Sequence, residues 1–273
     1  MTDNGGAQVP THAYQPLDGA RYASTELTRG PWSAEHQHAG PPSALVCRAV
    51  EQQAATLGLT HVARLTTNLL RPVPLDVLEL VIQTDYAGKN AAHFSGALVG
   101  RGKEVMRFTA LVQRARSTPL PPDLPGHPPP QAPKPLHECT PVQFPFAGKY
   151  VGYADLVQTR SSTGTLFAGP CLVWFGMNHP LVANEETSPY QRTAVAADSG
   201  NGISAVLDYE RFVFVNSDLT IHWLRQPQGH WVALDAATHF GPDGSGLAQS
   251  ALYDEQGLIG RALQSLSLRA REA

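Results

Sequence analysis

Apolar residues along this chain follow two rhythms that alternate in a fixed order. Leu45, Val46, Ala49 and Val50 recur at helical spacing within Ser43–Leu57, with prolines just ahead of the first turn, where they are tolerated, and Gly58 behind; a helix is predicted there. β-like runs follow at His61–Leu70, Val77–Tyr86, Ala92–Val99 and Glu104–Arg114, divided by the turn formers Gly88-Lys89-Asn90 and Gly100-Arg101-Gly102. Ahead of the helix, Tyr22–Thr28 and the stretch around Trp32 read as opening strands. The second half repeats the order. Strands are predicted near Tyr150–Arg160 and Leu172–Met177, a helix near Thr193–Leu207, and four more strands at Phe212–Leu224, Trp231–Phe240, Gly246–Tyr253 and Leu258–Leu268. Each half therefore predicts an early hairpin, one helix and a four-strand antiparallel meander, an α+β pattern satisfied by a curved sheet wrapped around a helix.

The halves are related residue by residue. Shifted by 154 positions, Leu65–Val112 meets Leu219–Leu266 without a gap, and Leu65, Thr66, Leu70, Arg71, Leu80, Thr84, Ala97, Leu98 and Arg107 face identical residues. Average composition gives roughly three such identities by chance, so nine point to one module used twice. The period is far too long for a solenoid. Between the copies, 11 of the 23 prolines crowd into Pro119–Pro145, which forbids helix and central strand and predicts an extended linker. The expected organisation is a first module over residues 1–116, a proline-rich linker over 117–145 and a second module over 146–273.

Composition narrows the function. A net charge of -3 with no basic run offers nothing to phosphate backbones or anionic membranes, so neither nucleic acid nor membrane is an expected partner. Cys47, Cys139 and Cys171 are an odd number without CxxC spacing, which argues against disulfides or zinc, and Cys47 sits on the apolar helix face. With no basic, apolar leader at Met1–Pro10, a cytoplasmic protein is expected. His36 and His38 form a loop pair without a third ligand at a recognisable spacing, so no metal is expected. Gly200–Ala205 matches GxGxxA formally but lies among antiparallel strands, where a dinucleotide fingerprint has no meaning, and there is no GxSxG.

Gly30-Pro31-Trp32, His38-Ala39-Gly40-Pro41-Pro42 ahead of the first helix, Leu70-Arg71-Pro72, and in the second half Asp198, Asn216-Ser217-Asp218-Leu219-Thr220 and Gln264 follow one another in an order that resembles the double hot-dog acyl-CoA thioesterases, the thioesterase II-like family. The resemblance covers nearly the whole chain outside the linker and termini. It implies a tandem hot-dog fold, homodimers or higher homo-oligomers, and hydrolysis of an acyl-CoA thioester with no cofactor other than the coenzyme A of the substrate. It also implies site residues. A carboxylate near the start of the second module's helix, a hydroxyl residue and a glutamine bind the attacking water, which maps the carboxylate to Asp198 and the glutamine to Gln264. The hydroxyl position falls on Asn216, a departure that still leaves hydrogen-bonding capacity.

At the repeat offset Gln264 faces Ala110 and Asn216 faces Val62, and Gly40–Ala44 holds no counterpart of Asp198. Only the later copy has the polar groups. An aspartate near a helix start also serves as a cap, and there the helix dipole favours its ionised form, so it would orient a water more than deprotonate it. Gln264 alternates with Ala262, Leu266 and Leu268 and is expected to face inward, either as part of the site or as a satisfied core amide. Asn216 shares its parity with Asp218, Thr220 and His222 and is expected half exposed. Backbone N–H groups around Ala39 and Gly40 are the expected oxyanion donors, glycine allowing close approach of substrate. A related hot-dog enoyl-CoA hydratase would carry a histidine where Ile203 stands, and a non-catalytic acyl-CoA binder would keep the pocket without turnover.

Overall fold

A computed structural model describes residues 9–121, 133–208 and 211–271. The first half contains β1 (Tyr14–Pro16), β2 (Arg21–Ser24), α1 (Gly40–Ala55), β3 (His61–Leu69), β4 (Val77–Ala87), β5 (Ala91–Gly100) and β6 (Lys103–Gln113). The second contains β7 (Thr140–Val142), α2 (Tyr153–Leu156), β8 (Val157–Thr163), β9 (Cys171–Met177), α3 (Pro189–Ala197), α4 (Gly200–Ile203), β10 (Phe212–Asn216), β11 (Asp218–Trp223), β12 (Trp231–Phe240), β13 (Ser245–Asp254) and β14 (Gly257–Ala270). β4, β5 and β6 begin 154 positions before β12, β13 and β14, the offset of the sequence repeat.

All strands join one antiparallel sheet whose order, β2-β4-β5-β6-β3-β11-β14-β13-β12-β9 through its centre, reads the same from either end once copies are equated. The seam is β3 against β11. There Thr66 pairs with Thr220, its own repeat partner, and the two hydroxyls lie 3.2 Å apart, marking a local two-fold axis. α1 packs on β3, β4, β5 and β6, and α3 on β9, β11, β12 and β13. The two helices also pack on each other, so a single hydrophobic core built around Leu45, Val50, Phe94, Val195 and Ile221 runs through both halves. Among the described residues no helix is long and apolar enough to cross a membrane.

Several local expectations change. No strand forms around Trp32; the opening hairpin is β1–β2. Part of the proline-rich stretch is structured: β7 pairs with β8, and Pro141 is tolerated there because β7 is the edge of the sheet and its missing N–H leaves no ladder bond unmade. Residues 122–132 of that stretch lie outside the described residues. The second helix starts at Pro189, capped by the Ser188 side chain accepting from the Gln191 N–H, and breaks after Ala197, so the span predicted near Thr193–Leu207 holds two short helices. Ser188-Pro189 is an ordinary N-cap and first-turn pair and was the readable signal.

Candidate active site

Asp198 is the C-cap of α3, at its junction with α4, and not at a helix start. The expected stabilisation by a helix N-terminus therefore falls away. Instead the carboxylate is held by side chains. Asn216 Nδ2 donates to Oδ1 at 2.8 Å, and Gln264 Nε2 lies 3.4 Å from the same oxygen while donating to the Asp198 carbonyl at 3.1 Å. Oδ2 lies 3.0 Å from His38 Nδ1. With a side chain only 4% exposed, the carboxylate depends on these donors, because a buried charge without partners costs several kcal/mol. The structure thus brings Asp198, Asn216 and Gln264 together from α3, β10 and β14.

Asn216 is turned inward by a register change. β10 and β11 pair with the same strand, β14, but one residue out of step, so Ser217 is an extra residue that resets the alternation. Phe214 and Asn216 then share the inner face with Leu219 and Ile221, whereas Val215 is exposed. The parity that placed Asn216 with Asp218 and Thr220 assumed one unbroken strand.

Gln264 is buried as predicted, and its Oε1 accepts the Asn201 N–H at 3.0 Å. Its carboxamide therefore clamps the α3–α4 junction from behind. Gly200 makes room for it: a Cβ there would stand 2.7 Å from Ser250 Oγ and 3.2 Å from Gln264 Oε1. This packing role replaces any phosphate-binding meaning of Gly200–Ala205.

His38 belongs to the loop ahead of α1. It reaches Asp198 because the start of α1 is pressed on the end of α3; a Cβ on Gly40 would lie 2.5 Å from the Val195 carbonyl oxygen. The close approach that Gly40 permits is thus by α3 and not by substrate, and its N–H points to His38 Nδ1 at 3.1 Å. The imidazole stacks on Tyr153, with centroids 3.8 Å apart and planes within 4°. Tyr153 donates to the Val195 carbonyl and hydrogen-bonds Ser199. Burial pushes its phenol far above the ordinary value; the Ser199 bond opposes this and the Asp198 charge adds to it, so Tyr153 acts as a fixed neutral strut. The signals for His38 were its place two residues ahead of a helix start and its position at the head of the His38-Ala39-Gly40-Pro41-Pro42 motif.

Asp198, Asn216, His38 and Ala39 open on a cavity of about 620 Å³ whose walls come from both copies. Trp32, Phe144, Phe146, Phe167 and Phe214 form its apolar lining, with Trp32 edge-on to Phe214 and Phe144 stacked on Phe146. Gln264 and Gly40 are not on this wall.

Residues 28–113 match the family model of the acyl-CoA thioesterase N-terminal domain, and residues 121–268 match that of the acyl-CoA thioesterase C-terminal domain. The chain belongs to the acyl-CoA thioesterase family. As a member of that family it is a thioester hydrolase. Solved structures similar to this thioesterase across its length include a Thermobifida fusca protein assigned as a thioesterase II, 17% identical over 95% of this chain and 96% of that one, with a TM-score of 0.71. A Novosphingobium aromaticivorans protein assigned as a thioesterase is 20% identical over 94% and 98%, at a TM-score of 0.69. An Alicyclobacillus acidocaldarius protein with a hot-dog fold is 16% identical over 96% and 97%, also at 0.69. The fold is accordingly a double hot-dog. No curated protein sequence matches the chain.

Proposed function

We propose that this thioesterase hydrolyses acyl-CoA thioesters by direct attack of a water oriented through Asp198, giving a free carboxylic acid and coenzyme A without a further cofactor. The observation that carries the reading is a buried carboxylate, held by donors from two other elements, that opens on an aromatic-lined cavity between the copies. The narrow pantetheine arm and the acyl chain would occupy this cavity, bringing the carbonyl carbon to the water. Asn216 fixes the carboxylate and shares the cavity wall with it, whereas Gln264 acts from behind by holding the α3–α4 junction. Ala39, on the wall at the start of α1, is the better placed of the two expected oxyanion donors, since the Gly40 N–H is directed at His38.

Release of free thiol from acyl-CoAs of short, medium and long saturated chains tests this. The wild-type protein should release thiol, and Asp198→Asn should lower kcat by about 10² to 10⁴-fold while still binding the substrate. A wild-type protein that binds acyl-CoA and never releases thiol is a binder. Loss of the enoyl absorbance of a 2-enoyl-CoA with no thiol released would favour hydration, a reading to which the His38–Asp198 contact lends some support even though Ile203 is buried and apolar.

A further inference from the structure

We propose that His38 is a second catalytic residue: the base that takes the proton of the attacking water and the acid that returns it to the departing sulfur, held in its working tautomer by Asp198. This deepens the thioesterase reading above and rests on it.

Oδ2 of Asp198 fixes the tautomer of His38. Asn216 and Gln264 approach Oδ1, so the partner of Oδ2 is His38 Nδ1 at 3.0 Å. A buried carboxylate oxygen needs a donor, and among the described residues the group that can donate to Oδ2 is a protonated His38 Nδ1. The Gly40 N–H also points at Nδ1, from 3.1 Å, and would suit the opposite tautomer. That tautomer sets two lone pairs against each other at 3.0 Å in order to satisfy one neutral donor. A hydrogen bond to an ionised oxygen is about twice as strong as a neutral one, so Asp198 wins the competition. With the proton on Nδ1, Nε2 carries the free lone pair.

Nε2 is well placed to use it. Among the described residues no protein group bonds it, it is not one of the buried unpartnered atoms, and His38 lines the cavity beside Asp198. The stack on Tyr153, itself pinned through its hydroxyl to Val195 and Ser199, fixes the plane of the ring. Tyr153 is thus a positioning residue. The titratable and charged groups around the imidazole are Asp198 from the α3–α4 junction, Tyr153 from α2, His36 from its own loop, and Arg71, Lys149 and Arg271 on the cavity wall.

The reaction balances with these groups alone. As the water oxygen bonds to the thioester carbonyl carbon, one of its protons passes to His38 Nε2 and the carbonyl π pair moves to oxygen. When that pair returns, the carbon–sulfur bond breaks, and the Nε2 proton goes to the thiolate, leaving a carboxylic acid, free coenzyme A and neutral His38. Asp198 faces the transient imidazolium throughout, the role a buried carboxylate plays beside a histidine base.

Three variants and one spectrum test the assignment. His38→Asn, His38→Gln and His38→Ala all remove the imidazole and with it the base, and His38→Asn keeps a donor for Oδ2. All three should lose about 10² to 10⁴-fold in kcat with little change in KM and should lose the acidic limb of the rate profile, and added imidazole should restore part of the rate in His38→Ala. In the wild type, ¹⁵N histidine spectra should show the Nδ1–H tautomer of His38. Full kcat and an unchanged pH profile in His38→Asn, with Asp198→Asn inactive, would overturn the role of His38 alone. So would an Nε2–H tautomer, whatever the turnover. An inactive wild type overturns the thioesterase reading itself, and this one with it.

Discussion

At equivalent places the two copies of the hot-dog module solve the same packing problem with opposite chemistry. In the first copy Val62 precedes the extra residue Ala63 where β3 slips by one against β6; in the second Asn216 precedes the extra residue Ser217 where β10 passes into β11. These bulges lie 154 positions apart, so the inward turn of Asn216 belongs to the scaffold, and only the residue presented by it differs. Ala110 and Gln264 make the same contrast, both almost fully buried, paired with Phe94 and Ala248 respectively. One copy closes its core with apolar groups. The other spends these positions on an amide pair around a carboxylate, and Asn216 and Asp198 of that set line the cavity.

The contrast extends to stability. Arg71 and Arg225 are repeat partners, but Arg225 pairs through both terminal nitrogens with buried Asp254, where the first copy has Gly100, while among the described residues Arg71 bonds the Glu104 carbonyl and no carboxylate. Burial alone would raise the Asp254 carboxyl; the Arg225 hydrogen bonds, with the Gln228 and Gln256 N–H groups, outweigh it and hold the group below its ordinary 3.8. The largest expected effect is therefore Arg225→Ala, at about 3–5 kcal/mol by denaturant unfolding, because it strands a buried charge. Arg71→Ala should stay within about 0.5 kcal/mol, and equal losses would erase the asymmetry. Since the folded carboxyl is the stronger acid, its contribution is complete above the unfolded value and is lost as pH falls through the folded one, so Asp254→Asn should flatten the acid side of the stability profile.

Next in size is the exchange at the amide position. Ala110→Gln buries an amide among apolar neighbours and should cost about 2–4 kcal/mol; calorimetry showing no loss would mean that the first copy also holds a usable polar site. Asn216→Val copies Val62 into the second module and removes a donor to a charged acceptor, a loss of about 1.5–3 kcal/mol in transition-state stabilisation, or roughly 10 to 150-fold in kcat. Asn216→Thr, which restores the hydroxyl that the family resemblance led one to expect, should remain within about tenfold of wild type, since a hydroxyl also donates. The smallest effect is expected on the two-fold axis itself: Thr66→Val removes one hydroxyl–hydroxyl bond and should cost about 0.5–1 kcal/mol with activity retained.

Much of this was legible before the fold was known, for physical reasons that differ from residue to residue. β4, β5, β6, β12, β13 and β14 follow from period-two patterning and glycine turns, which are local. Asp198, Asn216 and Gln264 stood out because the repeat supplied an internal control lacking them. The helix expected from Thr193 begins at Pro189, as the Ser188-Pro189 pair announces, and the earlier start puts Asp198 at the end of a helix and not near its beginning.

The amino-acid sequence by itself determined the duplicated meander, the family and the polar identity of the second copy, because strand period, turn chemistry and repeat offset act over a few residues or by simple comparison. Tertiary structure alone decided that a slipped ladder turns Asn216 inward, that Phe144 from a proline-rich stretch lines the cavity, and that His38 meets Asp198 across 160 residues of chain. These depend on which strands pair and how two helices press together, and long-range packing of that kind leaves no periodic trace in the order of residues.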